Sequence, residues 1–357
     1  MRWLLELMER QRRHFEAGGM LRTFKPVFEA NENFFFAPSK RTSDAPHVRD
    51  ALDVKRFMSM VIVALLPSTV AAVYFFGLRV VAMIVVSYAV GGMVEVLFAV
   101  VRKEDINEGF LVTGLIFPLV LPPALPLWMV GVGVAFGVVV GKELFGGTGR
   151  NVFNPALVGR CFLAIGYPKA MASAWIEPGS GLFGRVAQYV GAGDAVSAAT
   201  PLVDAKGGVM AGLPELFLGN VTGSAGETCA LAVIAGGLFL LATRVANWRT
   251  VAAVLGSFLL LGALLHQLWP ETFGPPGWHL LAGGLLFGAF FMATDPVTSP
   301  VTNGGKWACG VLIGTATVLI RNLTGYVEGM MFAILLGNIS APLLDAAFIH
   351  FRLRRYR

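Results

Sequence analysis

The feature that most constrains this chain is a series of apolar segments that begins at Phe57 and continues almost to the carboxyl terminus. Hydrophobic residues make up 55% of the 357 residues and charged residues only 14%, whereas an average soluble domain carries roughly 25% charged residues. A soluble globule of this size would need more charge to cover its surface, and a disordered chain would need lower hydrophobicity. The composition therefore indicates an integral membrane protein with several spans.

The segments predict an all-α membrane domain with about ten transmembrane helices, because a bilayer core needs about 20 apolar residues per helix. Several segments are short or are broken by Pro and Gly. Such breaks survive in a membrane only where they are buried in protein or line a cavity, which indicates half-helices or re-entrant turns. The predicted spans lie near residues 57–77, 80–101, 109–121, 125–141, 151–167, 226–243, 250–269, 278–293, 307–322 and 327–350.

The chain divides into a polar arm at 1–56, the transmembrane domain at 57–350 and a basic tail at 351–357. Lys and Arg are concentrated in the arm, the tail and the short loops of one side, whereas the long loop at about 168–225 holds few of them. By the positive-inside bias, both termini are cytoplasmic and the long loop is outside. Membrane orientation explains the net charge of +6, and nucleic-acid binding is not expected because no basic stripe alternates with exposed aromatic residues.

Two polar interruptions rich in Gly, Asn and Pro stand at corresponding places in the chain. The first covers residues 142–155 and the second covers residues 293–307. Paired interruptions of this kind are typical of two pseudo-repeated halves with a central site at their interface.

Acidic residues inside the apolar region are a second kind of signal. Glu95 lies within a predicted span. A charge at the membrane centre costs about 2.5–3.5 kcal/mol on insertion scales, so such a residue is neutral, paired or hydrated. The candidates for a Na⁺ path are Glu108 and Asp295 at the edges of spans and Asp345 late in the last span.

These acidic residues also have structural interpretations. Asp295 followed by Pro296 fits a helix N-cap with Pro at the first helical position. For the other acids at span edges, the alternative is an ion pair with another protein of a complex or with a nearby basic residue. The pairs concerned are Glu108, Glu328 or Asp345 with Lys306 or Arg321.

The long loop contains the strip Asp194-Ala195-Val196-Ser197-Ala198-Ala199-Thr200. A Thr hydroxyl is a poor nucleophile without a base, so the residues alone predict an ordinary loop. The strip resembles the flavinylation signal Asp-x-x-Ser-Gly/Ala-Ala-Thr of the sodium-pumping NADH:quinone oxidoreductases and the Rnf-type complexes. The resemblance implies that an external flavin transferase attaches FMN to Thr200 through a phosphoester, with Asp194 and Ser197 as part of the signal.

Further segments resemble the NqrB proteins of the sodium-pumping oxidoreductases and the related RnfD proteins of Rnf-type complexes. They lie in order along nearly the whole chain, and the long arm before the first span favours the NqrB type. The resemblance implies a urea-transporter-like core and a place in the bacterial inner membrane. The matching segments include His14-Phe15-Glu16, Asn107-Glu108-Gly109-Phe110, Phe145-Gly146-Gly147-Thr148-Gly149-Arg150-Asn151, Thr294-Asp295-Pro296 and Pro342-Leu343-Leu344-Asp345.

The first interruption is the candidate for a second flavin. Glycines let the backbone approach a planar ligand closely, and Asn amides could match the edge of an isoalloxazine ring. The alternative is a tight helix break at a packing contact. The resemblance implies a non-covalent riboflavin in the membrane part, and the residues proposed to hold it are Gly146, Gly147, Thr148, Asn151 and Asn154.

Three functions remain open at this point. The first is the redox component of a Na⁺-translocating NADH:ubiquinone reductase, a translocase that passes electrons to quinone. Because this chain has no nicotinamide-binding fingerprint, other subunits would have to oxidise NADH, and the chain is not expected to act alone. The alternatives are an RnfD protein of a ferredoxin:NAD oxidoreductase and a solute channel or transporter without a flavin.

Overall fold

The structure is a computed structural model that describes residues 54–103, 109–179, 185–186, 188–189, 198–326 and 328–354. Within these ranges the chain is helical and contains no strand. Several predicted features lie outside the described residues: the arm up to residue 53, Glu108, Asp194 and Ser197.

The helices are labelled α1 to α14 in chain order. They are α1 Val54–Phe76, α2 Leu78–Arg102, α3 Gly109–Leu119, α4 Leu127–Gly141, α5 Pro155–Gly166, α6 Pro168–Ser173, α7 Pro201–Lys206, α8 Leu213–Leu218, α9 Ala230–Ala242, α10 Trp248–Leu268, α11 Pro276–Leu281, α12 Leu285–Phe287, α13 Asn303–Leu323 and α14 Met330–Arg354. A 3₁₀ turn at Glu143–Phe145 follows α4, and a π-helical turn at Gly288–Met292 follows α12.

Five of the described helices are long and apolar enough to cross a membrane, which supports a multi-pass membrane protein that is helical in its described residues. They are α1, α2, α10, α14 and α4 together with the turn that follows it. The apolar helices α3, α5 and α9 are shorter. The segment at 278–293, predicted as one span, is divided into the end of α11, α12 and the π-helical turn. The number of ten spans therefore stays a prediction.

Glycines allow the helices of this domain to approach closely. A Cβ atom added to Gly137 of α4 would lie 2.4 Å from the carbonyl oxygen of Pro155 at the start of α5. A Cβ atom on Gly314 of α13 would lie 2.4 Å from the carbonyl oxygen of Val254 in α10. In lipid there is no hydrophobic driving force between helices, so their association depends on van der Waals packing. Small residues at the interfaces allow the backbones to come close and increase this contact.

Two parts of the chain, the first from α1 to α5 and the second from α9 to α14, have similar contacts between their helices. Helix α4 packs on α2 and on α5, and α13 packs on α10 and on α14. Helices α1 and α9, the first of each part, pack on each other. The interruption at 142–155 runs from the end of α4 to the start of α5, whereas the one at 293–307 precedes α13 and includes its first residues. The loops of the two parts therefore differ more than their helix contacts do.

We predict that Gly314→Ala destabilises the protein by about 1–3 kcal/mol, the usual cost of overpacking a tight contact. The matched control is Gly256→Ala in α10, where an added Cβ would meet no atom within 4 Å. Removal of a helical Gly is otherwise favourable by up to about 1 kcal/mol. The thermal unfolding midpoint in detergent should fall for the first variant and stay or rise for the second. Equal midpoints for the two variants would contradict the close packing of α13 on α10.

Candidate functional site

A cavity of about 330 Å³ opens beside Thr200 and is called here the Thr200 cavity. Its volume lies at the lower end of the roughly 300–1,000 Å³ that ligand pockets usually have. Its wall combines aromatic, apolar and charged side chains from distant parts of the sequence. The described residues that define it are Arg160, Trp175, Thr200, Ser224, Glu227, Glu328 and Met331.

Thr200 holds the N-cap position of α7, where its backbone carbonyl accepts hydrogen bonds from Val203 N at 2.8 Å and from Asp204 N at 3.0 Å. A Thr in this position commonly accepts a further hydrogen bond from the backbone with its side chain. The half-buried Thr200 side chain makes no such capping bond. Its hydroxyl is therefore not engaged by the helix that it caps.

Trp175 ties the strip before Thr200 to the segment after α6. Its carbonyl oxygen accepts a hydrogen bond from Ala198 N at 2.9 Å, and its half-buried indole lies on the cavity wall. An aromatic ring of this kind offers a face on which a planar ligand can stack.

A buried charge cluster forms another part of the wall. Arg160 of α5 donates to Glu227 Oε1 at 3.1 Å and to Ser224 Oγ at 3.3 Å. Its second amino group also donates to Glu328. Arg160 and Glu227 are only 4% and 6% exposed, and a buried charge requires a partner of this kind. The cluster is called here the Arg160 triad and consists of Arg160, Glu227 and Glu328.

Glu328 also accepts a hydrogen bond from Gly284 N at 2.9 Å. The partner expected for Glu328 was another protein of a complex, Lys306 or Arg321, whereas its hydrogen-bonded basic partner in the structure is Arg160. Arg321 instead donates to the carbonyl oxygen of His279 at 2.8 Å. Glu328 is thus ion-paired, but with Arg160 of α5 and not with either of the basic residues named for it.

A second, smaller cavity of about 70 Å³ is called here the Lys142 cavity. It brings both interruptions together, because its wall includes Lys142, Thr148, Asn151 and Asn154 from the first and Asp295 from the second. A water molecule takes about 30 Å³ in the liquid. The cavity has space for a few waters or a cation, and the placement of riboflavin here stays a prediction.

The glycine-rich turn beside this cavity is held by local hydrogen bonds. Gly146 and Gly147 have φ values of +107° and +89°, which favour glycine, and neither lines the cavity. Asn154 caps α5 by accepting from Ala156 N at 3.0 Å. Asn151 donates to the carbonyl oxygen of Phe153 at 3.0 Å. The structure thus displays the features of the alternative interpretation, a tight helix break at a packing contact.

Asn338 of α14 joins the two interruptions. Its Oδ1 accepts a hydrogen bond from Asn154 N at 3.3 Å, and its Nδ2 donates to the carbonyl oxygen of Thr298 at 3.2 Å. One buried amide therefore satisfies backbone groups on both sides, and sequence reasoning missed it because an Asn in an apolar helix gave no indication of its partners.

Asp295 does not cap a long helix. It accepts hydrogen bonds from Val297 N and from Thr298 Oγ1, both at 3.1 Å, and closes a turn. The N-cap of α13 is Thr302, so the prediction of an N-cap at Asp295 was wrong. Asp295 lies between helices, and burial raises the pKa of its carboxyl above the usual range. The reason for the error is that residues 296–302 form turns before α13 begins.

Asp345 of α14 has a structural role. Its Oδ2 accepts from Val301 N at 2.7 Å, and its Oδ1 accepts from Thr302 N at 2.9 Å and from Thr302 Oγ1 at 2.5 Å. The carboxylate therefore anchors the start of α13, and it does not line the Lys142 cavity.

Glu95 is paired within the protein. Its Oε1 accepts from Lys142 Nζ at 2.5 Å, and the two side chains are 7% and 4% exposed. The sequence did not identify Lys142, the first residue of the first interruption, as the partner of Glu95, and Arg160 and Glu227 were overlooked. A charged residue within or next to an apolar run is expected to have a partner. This signal was considered for Glu95, and it was equally present at Arg160.

Comparison with known proteins gives a consistent match. The sequence profile described as the NQR2, RnfD, RnfE family matches residues 41–353. The chain is 39% identical over 393 residues to the B-type subunit of the Na(+)-translocating NADH-quinone reductase of Azotobacter vinelandii (strain DJ / ATCC BAA-1303), with 96% of each chain covered. It is 38% identical over 418 residues to the protein of the same name from Klebsiella pneumoniae (strain 342), with 99% of this chain and 98% of the relative covered.

We predict that Lys142→Met destabilises the protein by about 3–5 kcal/mol, because it leaves the Glu95 charge buried without its partner. The double variant Glu95→Leu/Lys142→Met removes both charges and should recover most of that loss. The unfolding midpoint in detergent measures both effects. A double variant no more stable than Lys142→Met alone would show that the pair is not what holds this region together.

Proposed function

Since the chain belongs to the NQR2, RnfD, RnfE family, we propose that it is the B-type component, NqrB, of a Na⁺-translocating NADH-quinone reductase, a translocase of several subunits. The near-complete coverage of relatives with that printed name supports this assignment over the RnfD protein of an Rnf-type complex. Quinone is the electron acceptor in the proposal, and other subunits oxidise NADH. The enzyme therefore acts only as the assembled complex.

We propose further that Thr200 carries FMN. The observation that supports this most strongly is the position of Thr200 on the wall of a cavity of about 330 Å³, with a hydroxyl that its helix does not use for capping. Trp175 offers a stacking face, and the Arg160 triad offers donors and acceptors for polar groups. A bound flavin would supply electron transfer in single steps. A flavin transferase attaches it in the proposal, and Asp194 and Ser197 form the recognition strip.

The topology is proposed as the charge distribution predicts it. Residues 1–56 form a cytoplasmic arm, 57–350 the membrane domain and 351–357 a cytoplasmic tail, with the Thr200 loop on the outer side of the bacterial inner membrane. The recurring contacts of α4 with α2 and α5 and of α13 with α10 and α14 support two pseudo-repeated halves. A urea-transporter-like core of about ten spans is the corresponding proposal for the fold.

The Lys142 cavity is proposed as part of the Na⁺ path. It lies where the two interruptions meet, and its wall offers the carboxylate of Asp295 and the hydroxyl of Thr148, which is buried without a hydrogen-bond partner among the described residues. Oxygen ligands of this kind suit a hard cation. Asp345 is a weaker candidate because its carboxylate already accepts hydrogen bonds at the start of α13. Glu108 remains a candidate from the sequence.

We predict that Thr200→Ala abolishes covalent flavin, because alanine has no oxygen for a phosphoester. The assay is in-gel fluorescence after denaturing electrophoresis of protein made in a host with a flavin transferase. The wild-type band should fluoresce and the Thr200→Ala band should be dark.

The matched control is Thr222→Ala, which removes another hydroxyl from the wall of the same cavity and should leave the band bright. A dark wild-type band would overturn the flavin proposal and would favour a channel or transporter without a cofactor.

We also predict that Asp295→Asn raises the Na⁺ concentration for half-maximal quinone reduction by the complex about tenfold, which corresponds to about 1.4 kcal/mol of lost binding. Asp345→Asn is the control and should mainly lower the unfolding midpoint, because it weakens the anchoring of α13. If the two variants changed the Na⁺ dependence equally, the assignment of the path to the Lys142 cavity would fail.

A further inference from the structure

The Arg160 triad has a feature that simple stabilisation of the fold does not require. All three members lie on the wall of the Thr200 cavity, which has room for a ligand. The charges therefore face a space that a ligand can occupy. One oxygen of Glu227, Oε2, is buried and has no hydrogen-bond partner among the described residues. A buried carboxylate oxygen without a donor costs free energy, so this oxygen is available to accept a hydrogen bond from a ligand in the cavity.

The triad also concentrates charge at one place in an apolar domain. Arg160 is fixed by hydrogen bonds to Glu227 and Ser224, and its other carboxylate partner, Glu328, is held by Gly284 N. Charges in surroundings that exclude water act more strongly on a nearby ligand than exposed charges do. Because hydrogen bonds hold these groups in place, they would not need to rearrange when the charge of a ligand changes.

We propose that the Arg160 triad sets the reduction potential of the flavin on Thr200, with Arg160 favouring the reduced form and Glu227 opposing it. This inference rests on the proposed function, because it assumes that Thr200 carries the flavin. Reduction adds negative charge to the isoalloxazine ring unless a proton follows each electron, and charge near the ring tunes its potential. The uracil edge of the ring has an N–H donor, which matches the unpaired oxygen of Glu227.

The proposal requires opposite shifts from opposite charges. Arg160→Gln removes the cation and should lower the potential of the Thr200 flavin. Glu227→Gln removes an anion and should raise it. We expect each shift to correspond to at least a tenfold change in the ratio of oxidised to reduced flavin, which is about 59 mV for a one-electron couple. Arg160→Lys keeps the charge and should stay within about threefold of the wild type.

The experiment is a spectroscopic redox titration of the purified complex with a chemical reductant. The transition of the Thr200 flavin is identified as the one that disappears in Thr200→Ala. The distant control is Arg354→Gln, an exposed residue at the far end of α14 from Met331, which lines the Thr200 cavity. The rise of the helix between these two residues is about 35 Å at 1.5 Å per residue, so the control should leave this potential unchanged.

The outcomes distinguish a failure of the flavin assignment from a failure of the proposed role of the triad. A dark wild-type band on the fluorescence gel defeats both the flavin and this inference. A bright band with no shift, or with shifts of the same sign for Arg160→Gln and Glu227→Gln, overturns the inference alone and leaves a purely structural role for the triad. If Arg160→Gln fails to assemble, Glu227→Gln and Glu328→Gln decide, because both must raise the potential.

Discussion

The Arg160 guanidinium, held between Glu227 and Glu328, joins three parts of the chain that are far apart in sequence. It fixes α5 to the segments that lead into α9 and α14. In an apolar domain an unpaired charge is too costly to keep, so each such pair acts as a fixed point between helices, among them α5 and α9, which are shorter than the five candidate spans. Lys142 and Glu95 connect the end of α4 with α2 in the same way.

Much of the helical framework could be predicted because apolar runs and their ends are local properties of the sequence. The span predicted at 80–101 corresponds to α2 at Leu78–Arg102. The segment at 278–293 could not be predicted, because its break depends on tertiary contacts. Gly283 has a φ of +67°, and a Cβ atom on Gly284 would lie 2.4 Å from Glu227 Oε1. No periodicity in the sequence reveals that Glu227 approaches this backbone.

The candidate sites were also predictable only where their signal is local in the sequence. Thr200 became a candidate because its signal is a short continuous strip, and its role stays a prediction. The Arg160 triad was missed because its members are 67 and 168 positions apart, and spacing carries no information about such contacts. Asn154 was predicted as a ligand, whereas its side chain caps the first turn of α5, a common use of Asn immediately before a helix.

Helices α5 and α14 each contribute to both cavities, either by lining the cavity or by holding its wall in place. Asn154 at the start of α5 lines the Lys142 cavity, and Arg160 lines the Thr200 cavity; the rise between them is about 9 Å. On α14, Met331 lines the Thr200 cavity, and Asn338 holds Asn154 and the turn at Thr298 together. Contiguous rigid elements with shared hydrogen bonds are the kind of network through which two sites influence each other. In the proposed redox-driven cation pump, the electron carrier and the cation path would have to be connected, and α5 and α14 are the helices that line or support both cavities.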